Sequence, residues 1–253
     1  MLPVLHEVRK EGASDRCGES ETASSGRNLT QGMLDALGKA ILTGHYEAAP
    51  FPTESDLARQ YGVSRSVTRE AVKMLTAKGL LTARPRRGTS IQPQARWNLF
   101  DPDVLRWLLE RKFSLDLLRQ FTELRLAIEP TAAGLAAASA GPSGIAAIQA
   151  GFGRMVAAEA GDDDPLEADI AFHIAVLRAS ANPFFAQFQD VVTTALRTSI
   201  RFTNRFKGRT ASLPQHQAVL TAIEQHHPDR AREAMMVLIA DVMTLIAEAE
   251  QKV

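Results

Sequence analysis

From Asp101 onward, the helix breakers of this 253-residue chain are spaced so that the stretches between them read as helices. Gly141-Pro142, Gly161 to Pro165, Asn182-Pro183, Gly208 to Pro214 and Pro228 delimit helical stretches near 143–160, 164–180, 183–206, 213–226 and 228–250. Ahead of them, Asp101-Pro102 opens a helix carrying Val104, Leu105, Leu108 and Leu109. Ser114 opens another through Leu117, Leu118, Phe121, Leu124, Leu126 and Ile128 into an alanine-rich stretch. Six or seven helices joined by short connections predict an antiparallel all-α bundle over 101–250. At roughly 100–200 residues per domain, the length leaves room for one further modest domain ahead of that bundle. Aromatic residues are only 6% of the chain while alanine is abundant, which agrees with a mainly α fold.

The charges are segregated. The chain holds 29 basic and 29 acidic side chains, yet residues 1–26 carry 3 and 5, residues 27–96 carry 11 and 5, and residues 97–253 carry 15 and 19. A compact basic segment is thus attached to a larger acidic one, which suggests a polyanionic partner for one part only. The single cysteine, Cys17, excludes an internal disulfide and a Cys-rich metal site, so a reducing compartment is expected. No run approaches the ~20 apolar residues of a membrane helix, and the N-terminus has no apolar signal segment, so the expected location is cytoplasmic with no membrane partner. Residues 1–26, rich in Gly, Ser and Glu, read as a disordered tail.

The basic segment has its own order of elements. Leu29, Met33, Leu34, Leu37, Ile41 and Leu42 recur at helical spacing up to Gly44. A second, short helix starts at Thr53 with Glu54 and Asp56 in its first turn and ends at Gly62. Ser64 is placed to cap a third from Arg65 to Ala77. Residues 80–84 and 89–92 are strand-like and are joined by Pro85-Arg86-Arg87-Gly88. Three helices and a basic hairpin over 27–93 make a winged helix-turn-helix, followed by a linker over 94–100. The third helix can enter the ~12 Å wide major groove. Arg65 and Arg69 share one face of it and can reach guanine edges or phosphates. Ser64 and Ser66 can hydrogen-bond phosphates, and Gly88 lets the wing backbone approach the duplex. A small helical bundle with merely solvated arginines is the alternative.

At these residues the chain resembles the GntR family of bacterial transcription regulators. The resemblance runs through Phe51-Pro52-Thr53-Glu54, Leu57-Ala58, Gly62-Val63-Ser64-Arg65-Ser66-Val67-Thr68-Arg69-Glu70-Ala71-Val72, Leu75, Gly79-Leu80 and Arg87-Gly88-Thr89. It implies operator DNA as partner, with Thr53, Glu54, Ser64, Arg65, Ser66, Arg69, Arg87 and Gly88 at the contact. Two departures stand out: Ala48-Ala49 where members often have Pro-Gly, and Thr68 at a place that is usually aliphatic.

The bundle resembles the C-terminal effector domain of FadR-type members, which implies a homodimer controlled by a small effector. Asp169 and His173 lie four apart on one helix, so both can face one point, and His216 on a later helix can join them. In many FadR-type domains an Asp-x-x-x-His pair and two later histidines bind a divalent metal. Here the last position is Leu238, which cannot ligate. Three N/O ligands can still hold Zn2+ or another divalent cation; a hydrogen-bonded polar cluster that binds the effector directly is the other reading. His6, His45, His226 and His227 read as tail, surface or loop residues.

Arg125 interrupts an apolar helix, and the resemblance places it toward an effector cavity. Its charge calls for either a ligand carboxylate or an internal ion pair with Glu129 or Glu123. Arg197, Arg201 and Asn204 follow helical spacing and can reach hydroxyls or a second anion. Trp97-Asn98 followed by Asp101-x-Asp103-Val104-Leu105-x-Trp107 resembles the junction in regulators of sugar-acid breakdown, of galactonate type in particular. Packing of both tryptophans in the interdomain joint would explain the same residues. Together these features imply a non-enzymatic repressor released from its operator by a sugar acid or similar carboxylate. A fatty acyl effector would need a long apolar channel, which the polar cluster argues against. A hydrolase using the Asp169, His173 and His216 cluster lacks an evident general base and leaves the basic segment unexplained.

Overall fold

A computed structural model describes residues 18–47, 50–84, 88–111, 114–206 and 212–251, with backbone alone over 18–27, at 84 and over 200–206. The chain divides into two compact units, Met1–Asn98 and Leu99–Val253.

In the first unit, α1 (Gly18–Leu42), α2 (Glu54–Tyr61) and α3 (Arg65–Ala77) precede a hairpin of β1 (Leu81–Arg84) and β2 (Gly88–Ile91). The strands are antiparallel, with Leu81 opposite Ile91 and Arg84 opposite Gly88. Each helix is amphipathic around one small core. Met33, Leu34, Leu37, Ile41 and Leu42 of α1, Leu57 of α2, Ala71, Val72 and Leu75 of α3, and Leu80 and Leu81 are all buried. Thr68 is fully buried among them, and its hydroxyl donates to Ser64 O at 3.1 Å, so the polar atom at this usually aliphatic place is satisfied.

α1 starts at Gly18, inside the stretch expected to be a disordered tail. Between Gly18 and the apolar residues 33–42 that anchor the helix there is no proline to stop its propagation. Ala48-Ala49 lies outside the described residues. The linker expected over 94–100 is also shorter than its sequence suggests. A 3-10 turn at Gln94–Arg96 folds back on the first unit, where Asn98 N donates to Lys78 O at 2.9 Å and Trp97 Nε1 donates to Gln92 O at 2.9 Å. Gly79 makes this possible: its φ is +77°, and a Cβ there would stand 2.3 Å from Arg96 O. Trp107, in contrast, is fully buried within the second unit.

The second unit contains α4 (Pro102–Leu108), α5 (Leu115–Ser139), α6 (Pro142–Ala160), α7 (Pro165–Ala179), α8 (Pro183–Ala186), α9 (Gln189–Phe206), α10 (Leu213–Glu224) and α11 (Pro228–Glu250). Asp101, Ser114, Asp164 and Asn182 cap their helices through side-chain oxygens. The helix expected over 183–206 is two. Gln187 N and Phe188 N bond three residues back, to Phe184 O and Phe185 O, and the tightened turn brings Phe188 edge-on to Phe100. Consecutive helices α6 with α7 and α10 with α11 pack against each other across short connections, as antiparallel neighbours do. The long pair α5 and α11 closes the main core, which includes Ala133, Ala136, Ala137, Ile148, Phe172, Val219, Ile223, Met235 and Ile239.

Gly151 sets the spacing of α6 and α7, because a Cβ there would meet Phe172 Cα at 2.8 Å and Phe172 N at 3.0 Å. Both contacts are backbone and cannot swing away. Gly151→Ala is therefore expected to destabilise the protein by about 1–3 kcal/mol through overpacking, despite alanine's higher helix propensity. Urea denaturation should show a lower midpoint at an unchanged slope.

Candidate functional site

The exposed face of α3 is built by its cap. Ser64 Oγ accepts from Val67 N at 3.3 Å and lies 2.8 Å from Ser66 Oγ, so one hydroxyl holds the helix start while its neighbour faces solvent. Arg65, Ser66, Arg69 and Lys73 are all exposed, opposite the buried Thr68, Ala71, Val72 and Leu75. Thr53 caps α2, accepting from Asp56 N at 3.2 Å. Glu54, in the first turn of α2, places Oε2 3.7 Å from Arg69 Nε. Both partners are open to water, so the pair is worth little and leaves Arg69 available. Gly88 has φ +78° with open space around the position, so the requirement for glycine is conformational. Arg87 lies outside the described residues. Seven of the eight residues expected at a DNA contact thus fall on the α2–α3 face or at the start of β2.

A different chemistry is buried in the second unit. α7 carries Asp169 and His173 one turn apart, and α10 carries His216; all three side chains are buried, and one ligand atom from each lies within 4.8 Å of the others. Phe172 packs edge-on against both imidazoles, with ring centroids 5.8 Å from His173 and 5.0 Å from His216. The ring protons can be assigned from the acceptors. His216 Nδ1 stands 2.8 Å from Ser212 O, a carbonyl that only accepts, so Nδ1 carries the proton. His173 Nδ1 bonds the Glu129 carboxylate, which also only accepts when ionised. Burial alone would raise the Glu129 carboxyl, but Arg125 and then His173 outweigh it and bring it to about 2.

With Nδ1 of each ring committed to an acceptor, both imidazoles turn their Nε2 atoms toward the same point. These lie 3.4 Å apart, and Asp169 Oδ1 is 3.0 Å from that of His216 and 3.6 Å from that of His173. Asp169 Oδ1 receives no hydrogen bond, although it is buried. Burial would raise this carboxyl too, yet the His216 contact and the nearby His173 and Arg125 hold it below the usual range. Two imidazole nitrogens and a carboxylate oxygen converging on one buried point are a donor set that fits a divalent cation, which would take the place of any proton shared there. Glu129 behind His173 and Ser212 O behind His216 supply the outer hydrogen bonds that orient such ligands. Leu238 is buried in the apolar core with Phe172 and Val219, consistent with its inability to ligate.

The other expected effector residues fare differently. Arg125 Nε donates to Glu129 Oε1 at 2.5 Å, so its charge is balanced internally, while its Nη2 reaches within 3.4 Å of His173 Nε2. Arg197 pairs with Glu167 at 2.7 Å on the partly exposed side of α7. The side chains of Arg201 and Asn204 lie outside the described residues. Glu129 is the residue the sequence did not single out beyond a bland pairing with Arg125. Its i, i+4 spacing from that arginine was the only signal, and such pairs are commonplace on helix surfaces.

Comparison with known proteins agrees with both units. Residues 29–91 match the family described as bacterial regulatory proteins, gntR family, and residues 120–241 match the FCD domain. The galactonate operon transcriptional repressor of Escherichia coli (strain K12) is 33% identical over 218 residues, covering 84% of this chain and 94% of that protein. The putative L-lactate dehydrogenase operon regulatory protein of the same organism is 31% identical over 242 residues, 89% of each chain. Among solved structures, Lar, which controls the agr system of Listeria monocytogenes, shares the fold at a TM-score of 0.56. It is 19% identical, over 87% of this chain and 97% of that one. No helix among the described residues is long and apolar enough to cross a membrane. With a DNA-reading head of this pattern joined to a helical domain that houses the buried cluster, the chain belongs to the GntR family of transcription regulators and carries an FCD domain at its C-terminal side.

Proposed function

We propose that this regulator acts in the cytoplasm as a homodimeric repressor, released from its operator when a hydroxylated carboxylate binds beside a divalent cation held by Asp169, His173 and His216. The observation that supports this reading is the buried convergence of Asp169 Oδ1 and the Nε2 atoms of His173 and His216, with one ligand atom of each within 4.8 Å of the others. A cation bound there supplies positive charge and coordination positions for ligand oxygens, since three protein ligands among the described residues leave positions open. Two relatives are named for operons of galactonate and of L-lactate dehydrogenase, and galactonate and lactate are both 2-hydroxycarboxylates. That shared group can meet a cation through its carboxylate and hydroxyl together. A sugar acid is favoured over a simple hydroxy acid because the stretch Trp97 to Trp107 resembles the junction in regulators of sugar-acid breakdown, of galactonate type in particular. Dimerisation follows from the head, since helix-turn-helix proteins read two half-sites about 34–36 Å apart with two-fold symmetry. A coupling of about 1–3 kcal/mol between effector and DNA would change operator affinity 5–150-fold.

Calorimetry tests the reading. Galactonate should release heat on binding the zinc-loaded protein, and the heat should vanish after chelator treatment. Galactonate should also weaken operator binding of the loaded protein. An acyl thioester that binds equally well with and without chelator would overturn it. Light scattering of the free protein should report twice the monomer mass.

A further inference from the structure

Glu129 is buried between Arg125 and His173 and bonds to both. Its Oε1 accepts from Arg125 Nε at 2.5 Å and its Oε2 accepts from His173 Nδ1. The three side chains are each at most 4% exposed. His173 differs in this respect from His216, whose Nδ1 donates only to a neutral backbone carbonyl, that of Ser212. We propose that Glu129 is the positioning residue of the cation site: by accepting from Nδ1 it fixes the His173 tautomer and aims Nε2 at Asp169 Oδ1. The proposal rests on the cation reading given above.

Arg125 completes the device. A buried carboxylate without a counter-charge is costly, and Arg125 supplies that charge from one turn earlier on α5. It also fixes which way a neutral replacement would turn. In Glu129→Gln the amide offers one acceptor oxygen and one NH2 group. The guanidinium can only donate, so it claims the oxygen and leaves the NH2 facing His173 Nδ1. The imidazole must then accept at Nδ1 and carry its proton on Nε2, where it can no longer ligate without giving that proton up. The same argument gives Arg125 a role through Glu129, apart from any contact of its Nη groups with an effector.

The test uses the full-length protein and zinc or cobalt as the probe. Long-range proton–nitrogen NMR of the metal-free protein should show His173 in the Nδ1-protonated form in the wild type and in the Nε2-protonated form in E129Q. Competition with a chromophoric chelator should show zinc affinity about 10–100-fold weaker in E129Q, the range typical of lost outer hydrogen bonds to a ligating histidine. Visible cobalt bands should shift, and Glu123→Gln, on the exposed side of the same helix, should change neither readout. Should E129Q fail to fold, the paired replacement Arg125→Met with Glu129→Met removes the charges together, retains volume and is expected to weaken zinc binding by a similar factor. Wild-type tautomer and zinc affinity in whichever of these variants folds would overturn the proposal while leaving the cation site standing. A wild type that binds neither metal would overturn the cation reading itself, and the role of Glu129 with it.

Discussion

His216→Gln is expected to lower affinity for a divalent cation well beyond the ~10–100-fold loss that follows removal of an outer hydrogen-bond partner, because it takes away one of the three ligands found among the described residues. The physical basis is the arrangement at the core of the second unit. His216 Nε2 is 3.0 Å from Asp169 Oδ1 and 3.4 Å from His173 Nε2, and its other nitrogen is committed to Ser212 O. In the wild type, zinc at about 100 times its dissociation constant should stabilise the fold by about 2.7 kcal/mol, since it binds the native state alone. The variant should show no such stabilisation at the same zinc concentration. Thermal melts with zinc and with chelator measure this directly. The two reagents should separate the wild-type curves and leave those of His216→Gln superimposed. Equal separation in both proteins would mean that the cation is held elsewhere. The metal-free comparison is informative as well. His216 also helps to hold the Asp169 carboxyl below its usual range, so the chelated variant is expected to be somewhat less stable than the chelated wild type at neutral pH.

How much of this could be read from the residues depended on whether a signal was local. The α3 boundaries, Arg65 to Ala77, were legible because Ser64 and the spacing of Val72 and Leu75 both act within a few residues. Asp169 and His173 were legible for the same reason, being one helical turn apart. His216 joined them only through family resemblance, since nothing in the local pattern says that α10 lies against α7. The break between α8 and α9 was hidden because no Gly or Pro marks it. The tightened turn there accompanies an edge-on contact of Phe188 with Phe100, residues 88 positions apart, which no local pattern announces. The fold-back of Arg96 onto Gly79 was hidden likewise, as the glycine alone looks like an ordinary turn. Arg125 illustrates the limit most clearly. Its burial was anticipated and two balancing partners were open. Only the packing of α5 on α7 shows that Glu129 both neutralises it and reaches His173.

Arg65→Ala and Arg69→Ala should each cost about 1–3 kcal/mol of operator discrimination if the side chain reads a guanine edge, and the double variant should bind operator no better than random duplex. Neither change should disturb the fold. Both side chains are exposed, and the Arg69–Glu54 pair, at 3.7 Å with both partners in water, contributes little to stability. The α3 core residues Thr68, Ala71, Val72 and Leu75 lie on the opposite face. Fluorescence anisotropy on operator and on scrambled DNA, across a salt series, separates the possible roles. A base-reading arginine loses affinity for operator alone. A phosphate-binding one loses it on both duplexes and reduces the magnitude of the salt slope by about 1. Because Arg69 is four residues further along the helix and already faces a carboxylate on α2, it is the better candidate for the backbone role, with Arg65 nearer the helix start reading bases. Zinc and galactonate binding should be unchanged in both variants, as the cation cluster is wholly contained in the second unit. Loss of effector binding together with DNA binding would contradict the division of labour between the basic head and the acidic bundle.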